Sequence, residues 1–159
     1  NEILLDGNAG QYLTFNLDSE FFGLEILKVQ EIIGVIKITH MPRTPEYVRG
    51  VINLRGKIVP VLDLRLRFGM ETVEETEKTV IIVVQVNCGD TEQTTGFLVD
   101  QVNEVVDVSE TAIEPPPEFG NAGEADFIKA MGKVAEHVVM LLDINKVLSH
   151  EEIVELGKL

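Results

Sequence analysis

Two stretches of this chain occur twice, and the repetition narrows the folds open to it. Placing Asp63 on Asp143, an offset of 80 (143 − 63), lays Ile58-Val59-Pro60-Val61-Leu62-Asp63-Leu64 over Val138-Val139-Met140-Leu141-Leu142-Asp143-Ile144 and Phe68 over Leu148. Earlier in each half, Gly23–Ile33 lies over Gly96–Val106 at an offset of 73 (96 − 23). Both matches are ungapped and in the same order, so the difference in offset is a change of loop length. Two similar β units, each of about five strands, satisfy the pattern. Neither half is large enough to bury a comfortable core alone, so the units are expected to pack through a shared apolar interface.

Within a unit the elements follow from local chemistry. Val51–Leu54 and Ile58–Leu62 read as strands joined at Arg55-Gly56, with Gly supplying the positive φ. Asp63 then caps a short helix with Leu64 and Phe68 on its apolar side, closed by Gly69. Asp143 does the same ahead of Val147 and Leu148. Pro60 within a strand points to an edge or a bulge. Gln11–Leu17 alternates as a half-buried strand with Leu13, Phe15 and Leu17 inward, and Phe21–Ile26 returns. Leu27–Ile33 suits a helical turn or a strand, Val35–Thr39 a strand, and Thr44-Pro45 a helix start with one turn over Glu46–Arg49.

Met70–Lys78 is an acidic crossover, and Thr79–Val86 is an apolar run suited to a strand buried on both sides. Asn87–Thr95 reads as a polar loop, Gly96–Val99 and Asn103–Val108 as strands, and Glu114–Gly120 as an extended proline-rich segment. A helical turn over Ala125–Met131 and a second hairpin over Lys133–Leu142 follow. Ser149-His150-Glu151-Glu152 is a capping box opening a terminal helix with Ile153 and Leu156 as its apolar side. The class is mainly all-β. The expected division is a first β unit over 11–78 with part of the C-terminal region, a second over 79–148, and a C-terminal helix over 149–159.

The formal net charge is −14 and the isoelectric point about 4.5. Such a field repels phosphate backbones and anionic lipid, which argues against nucleic-acid or membrane-surface binding. No apolar run approaches the roughly 20 residues of a membrane span. Cys88 is the single cysteine, cannot form an internal disulfide, and fits a reducing cytoplasm. The three histidines, His40, His137 and His150, show no metal-ligand spacing, and neither a nucleophile elbow nor a phosphate-binding or dinucleotide fingerprint is present. No metal or cofactor is expected. Asp63 and Asp143 could be a pair of acids for proton transfer, but their matched places favour helix caps. All five arginines, Arg43, Arg49, Arg55, Arg65 and Arg67, fall between positions 43 and 67. They read either as a solvated surface or as a docking patch for a carboxylate-bearing partner. Phe119, after three prolines, is either an interface anchor or a core residue.

The run Gly50-Val51-Ile52-Asn53-Leu54-Arg55-Gly56-Lys57-Ile58-Val59-Pro60-Val61-Leu62-Asp63-Leu64-Arg65 resembles the signature of the chemotaxis coupling protein family, CheW. Leu27-Lys28-Val29-Gln30-Glu31-Ile32-Ile33, Pro117-Glu118-Phe119 and Leu141–Leu148 resemble its other motifs, in the family's order, over roughly residues 11 to 156. The resemblance implies two tandem five-stranded SH3-like β-barrels packed on each other, with short helices and a C-terminal helix. It implies a non-catalytic adaptor that couples the cytoplasmic helical tip of chemoreceptors to the regulatory domain of the histidine kinase CheA, in the cytoplasm at membrane-bound receptor arrays. By motif, Glu31 and Phe119 would face the kinase, and Val29 and Arg55 the receptor. Val102, the repeat partner of Val29, would line the receptor groove.

Two alternatives accompany this reading. The chain could be the CheW-like regulatory portion of a longer kinase or receiver-fused protein, which a first residue of Asn1 rather than Met would suit, whereas the capped terminal helix suits a self-contained unit. It could also be a small β-barrel enzyme using Asp63 or Asp143.

Overall fold

A computed structural model describes residues 9–88, 90–116 and 127–158. The strands are β1 (Gly10–Leu17), β2 (Glu20–Glu25), β3 (Val29–Gly34), β4 (Val48–Leu54), β5 (Lys57–Asp63), β6 (Val80–Cys88), β7 (Thr91–Val99), β8 (Gln101–Val108), β9 (Ile113–Glu114), β10 (Ile128–Val134) and β11 (His137–Leu142). Among the described residues, two short helices, α1 (Leu64–Arg67) and α2 (His150–Leu156), and three single 3₁₀ turns accompany the strands. One sheet has six strands in the order β8-β1-β2-β11-β10-β9, and the other five in the order β3-β6-β7-β5-β4. The molecule is therefore mostly β, as the sequence leads one to expect.

The repeat is visible in the strand registers. The parallel pair β5·β7 sets Val61 against Gly96, and the parallel pair β11·β2 sets Leu141 against Gly23, the same two positions at offsets 80 and 73. Val29 opposes Val84 and Ile32 opposes Ile82 across β3·β6, while Val102 opposes Phe15 and Val105 opposes Leu13 across β8·β1. Even the register shifts recur, between Val48 and Gly50 in one hairpin and between Ile128 and Ala130 in the other. Asp63 N–H donates to Tyr47 O at 2.7 Å, and Asp143 N–H to Phe127 O at 2.8 Å. The five-stranded sheet is closed by a bridge from Thr39 to Val51, and β9 closes the other at the equivalent place, Glu114 against Met131.

The sheets do not divide the chain at residue 78. The N-terminal hairpin β1–β2 joins the sheet built by β8–β11, and β6 and β7 join the sheet of β3–β5. The chain thus crosses between sheets twice, at the 3₁₀ turn Ile26–Lys28 and at Asp100. The cause is parallel pairing. A strand that is to lie parallel to β5 or β11 cannot be the other arm of a hairpin with it, so each sheet takes its parallel neighbour from the opposite half.

Three apolar clusters fill the interior. One lies within the five-stranded sheet (Ile52, Val59, Val61, Ile81, Val83, Leu98) and one within the six-stranded sheet (Tyr12, Val108, Ala130, Val139, Leu141). The third and largest lies between them and draws on both, including Phe15, Leu24, Leu62, Ile82 and Phe97. Strand alternation explains the pattern: in β6, Ile81 and Val83 point into one cluster and Ile82, Val84 and Val86 into the other. That is why Thr79–Val86 is apolar almost without a break. In β1 the same burial of both faces replaces the expected half-buried strand. Leu13, Phe15 and Leu17 face the shared cluster, and polar Thr14 and Asn16 are buried with partners. Thr14 Oγ1 donates to Glu104 O at 2.8 Å, and Asn16 Oδ1 accepts from Asn103 Nδ2 at 2.7 Å.

Several local expectations change. Thr44-Pro45 starts no helix; Val48 N–H bonds Pro45 O at 3.0 Å and β4 begins. Asn87–Thr95 is the tip of the β6–β7 hairpin, with Cys88 opposite Thr91, and Ala125–Met131 yields a strand from Ile128 rather than a helical turn. Val35–Thr39 contributes only the Thr39 bridge. Leu27–Ile33 resolves into a 3₁₀ turn followed by β3. Pro60 lies in an inner strand, just before the residues that pair with β7, rather than at an edge.

Gly23 and Gly96 occupy the repeated crossing where a strand passes closest to its parallel neighbour. A Cβ on Gly96 would stand 2.7 Å from Ile81 Cγ2, whereas one on Gly23 would meet Leu141 and Val139 side chains at 3.1 and 3.2 Å. Overpacking of this kind costs roughly 1–3 kcal/mol. Gly96→Ala is therefore expected to lower the unfolding free energy measured in urea by that amount and Gly23→Ala by less, with the midpoint falling in proportion and the denaturant slope unchanged in both.

Candidate functional site

The β4–β5 hairpin ends in a two-residue turn in which both Arg55 (φ 53) and Gly56 (φ 86) are left-handed. This is the primed geometry that matches strand twist, and it asks more of Arg55 than the sequence suggests. Asn53 Oδ1 accepts from Gly56 N–H at 2.8 Å and holds the tip. The turn carries Arg55 toward β3, at the far edge of the same sheet, because the sheet curls until its edges meet at the Thr39 bridge. There Arg55 Nη1 donates to Glu31 Oε1 at 3.3 Å, and Nη2 makes a second, closer contact with Oε2. The hydrogen bond to Glu31 raises the Arg55 pKa further above its ordinary value. The second half has Ala135 and Glu104 at the matching places, so this fork belongs to the five-stranded unit alone.

Two residues expected to serve different partners, Glu31 and Arg55, are thus a single ion pair on the surface. Val29 and Val102 are not on that surface. Each lies at the beginning of the strand that follows a crossover, Val29 as the first residue of β3 and Val102 as the second of β8, each is half-buried, and both pack against the cluster shared by the sheets. Phe119 lies outside the described residues. Cys88 ends β6.

The arginine-rich stretch separates in space, which corrects its reading as one docking patch. Arg65 is 6% exposed. Its Nε and Nη2 donate to the two carboxylate oxygens of Asp100 at 2.8 and 2.6 Å, and Nη2 also reaches Asp18. Hydrogen bonding to Asp100 outweighs burial and pushes the guanidinium pKa up. Burial alone would raise the Asp100 pKa, but Arg65 and the Asp18 N–H, 2.7 Å from Oδ2, hold it below the usual carboxylate range. This latch ties α1 to the β7–β8 crossover and to the β1–β2 turn of the other sheet. Arg67 donates to Val147 O at 2.7 Å and to Glu152 at 3.0 Å, and it stands over the Tyr47 ring. Burial and then the bond to Glu152 push the Tyr47 hydroxyl well above its ordinary pKa. Arg49 pairs with Asp63 at 3.2 Å and with Glu75 at 3.3 Å.

Asp63 is 3% exposed and caps α1, accepting from Arg65 N–H at 2.9 Å, and Asp143 accepts from Asn145 N–H at 3.1 Å. Both acids are tied to backbone, as caps are. The Arg65 latch is the feature that sequence reasoning missed. The available signal was an arginine two residues beyond a cap, on a helix too short to face it away from the core. Among the described residues, no group of three or more His, Cys, Asp or Glu is arranged to hold a metal ion, and no helix is long and apolar enough to cross a membrane.

Comparison with known proteins places these features in a family. A model of the CheW-like domain matches residues 11–152. The chemotaxis protein CheW of Klebsiella aerogenes is 40% identical over 142 residues, covering 89% of this chain and 83% of that protein. The CheW of Rhizobium meliloti is 34% identical over 148 residues, 93% of each. Among solved structures, the scaffolding protein TtCheW from Thermoanaerobacter tengcongensis superposes with a TM-score of 0.78 at 34% identity, over 91% of this chain and 97% of that one.

A carboxylate with a depressed native pKa stabilises the fold above its unfolded pKa, and that contribution is lost as pH falls through the native value. Asp100 is such a group, so the wild type is expected to lose melting temperature below about pH 4. Asp100→Asn should melt lower at neutral pH and show a shallower acid limb. Arg65→Met, which strands two carboxylates, should cost about 3 kcal/mol at pH 7 in chemical unfolding.

Proposed function

The chain belongs to the CheW family, and on that footing we propose that it is an adaptor of bacterial chemotaxis, without catalysis of its own, that couples chemoreceptors to the histidine kinase CheA. The observation that carries this reading is the span of the family match, which takes in both sheets and both crossovers rather than one barrel. The partners are the helical tip of the receptor and the regulatory domain of the kinase. The chain would work at receptor arrays on the cytoplasmic side of the membrane.

The first β unit presents Glu31 and Arg55 as one charged fork. Exposed Ile32 and Ile58 lie beside it in sequence on β3 and β5. An apolar surface with a charged pair at its border suits a protein partner, because the apolar area supplies affinity and the fork supplies register. We assign Glu31 and, by motif, Phe119 to the kinase, and Val29, Arg55 and Val102 to the receptor side. Val29 and Val102 act from beneath, as packing that sets the shape of the groove between the units, consistent with their half-burial.

The pair decides between two versions of this assignment. If Glu31 and Arg55 serve separate partners, Glu31→Arg removes kinase binding alone and Arg55→Glu removes receptor binding alone. If they act as a fork, each single change weakens the same contact, and the double exchange restores part of it. Arg55 is largely exposed, so either change should move the melting temperature little. Calorimetric titration of the two variants and the double exchange, with the kinase regulatory domain and with a receptor-tip fragment, reads out both. The adaptor reading fails if the wild type binds neither.

A further inference from the structure

The repeat allows one surface of each unit to be compared with its twin, and the two are filled differently. On the five-stranded unit, α2 follows Val147 and Leu148 and covers a seat that includes Tyr47, Gln93 and Leu148. Tyr47 Oη donates to Glu152 at 2.7 Å, Gln93 Oε1 stands 3.0 Å from where a Cβ on Gly157 would be, and Ile153 and Leu156 are sunk in the shared core at 2% and 7% exposure. The offset of 80 puts Met70–Thr76 in the place of α2, with Val73 for Ile153 and Thr76 for Leu156. That segment forms no helix, and Val73 is 50% exposed.

What remains is a cleft of about 330 Å³, lined by Phe22, Phe68, Met70, Phe127, Ile128 and Met140 beside the Asp18–Glu20 turn. Its wall is the wall of the α2 seat in other residues. Phe127 stands for Tyr47, Phe68 for Leu148, Ile128 for Val48, Met140 for Pro60 and Glu20 for Gln93. Phe68 stacks on Phe127 at 4.3 Å and lies 5.6 Å from Phe22, so the floor is aromatic and preformed. Met70 and Met140 add side chains that adapt to an incoming surface.

The charge around the cleft has one dominant sign. Asp18 and Glu20 border it, and Glu71, Glu74 and Glu75 run along the segment that replaces the helix. The adjoining cavity is lined by Asp100, which like Asp18 is paired with Arg65, and by Lys78, so the charge left for a partner is that of Glu20, Glu71 and Glu74. A second copy's α2 carries Glu151, Glu152 and Glu155 and would meet like charge here.

We infer that this cleft docks a basic amphipathic helix of a partner protein. Two apolar side chains one turn apart take the places that Ile153 and Leu156 hold on the five-stranded unit, and flanking Lys or Arg face Glu20, Glu71 and Glu74. The helix-in-groove mode needs only this stripe and its flanks. Val29, Glu31, Arg55 and Val102 do not line the cleft, so the site is separate from the contacts assigned to those four residues.

The test uses the full chain with labelled methyl groups. The probe is a synthetic peptide carrying the Ser149–Leu156 sequence with E151K and E155K, extended by helix-forming Ala and Lys residues. Saturable shifts of the Met70, Ile128 and Met140 methyls are expected. The same peptide with its glutamates kept should bind at least tenfold more weakly. M140E and the surface pair E20K/E74K should each weaken the basic peptide at least tenfold, and the surface pair guards against a variant that merely unfolds. Kinase and receptor-tip binding by E20K/E74K should stay unchanged, which separates this site from the adaptor contacts. The inference is overturned by an absence of saturable shifts, by equal binding of both peptides, by shifts confined to Ile153 and its neighbours, or by concentration-dependent shifts without peptide, which would make a second copy the occupant.

Discussion

The parallel contact between a strand of one half and the hairpin of the other is the constraint on which the rest of this molecule depends. β7 lies along β5 and β2 along β11, and both contacts turn on a glycine, Gly96 against Val61 and Gly23 against Leu141. Because a parallel neighbour must come from elsewhere in the chain, each half lends a strand to the other. The two crossovers that result bind the sheets together. They also create the largest apolar cluster, since β1, β2, β6 and β7 each bury one face within a sheet and the other between sheets. A single sheet here is not a unit that could lose its partner and keep its core.

Polar groups then secure what the apolar cluster brings together. The Arg65–Asp100–Asp18 latch crosses from α1 to the turn and crossover of the other sheet, and the Tyr47–Glu152–Arg67 group fastens α2 across both. Surface ion pairs contribute little to stability, but a guanidinium with all its partners in place and little water around it is costly to disturb. These arginines are structural. Arg55, on a left-handed turn at the surface and paired only across the barrel seam, differs from them in position and in exposure. Its charge lies where a partner can reach it.

The two-fold relationship also shows where the units have diverged. The fork is present in the first and absent from the second. The terminal helix covers one end of the five-stranded sheet, while the acidic segment Met70–Thr76 leaves the matching end of the six-stranded sheet open over an aromatic floor. An adaptor with two similar halves needs such differences, because identical halves would offer identical surfaces and could not order different partners around one molecule.

Much of this was legible in the sequence where the cause is local. The caps at Asp63, Asp143 and Ser149 depend on a side chain and a backbone N–H a few residues away, and they stand where the residues put them. The hairpin at Arg55-Gly56, the nearly continuous apolar run of β6 and the repeat itself are likewise written in short stretches. The family signature lies within such stretches too. What only the tertiary structure decided was partnership. The chain crosses between sheets rather than dividing at residue 78, Glu31 meets Arg55 rather than standing apart from it, and clustered arginines are dispersed into separate latches. In each case the choice is made by strands far apart in sequence closing around a shared core. Periodicity states which face of a strand is buried; it cannot state against what.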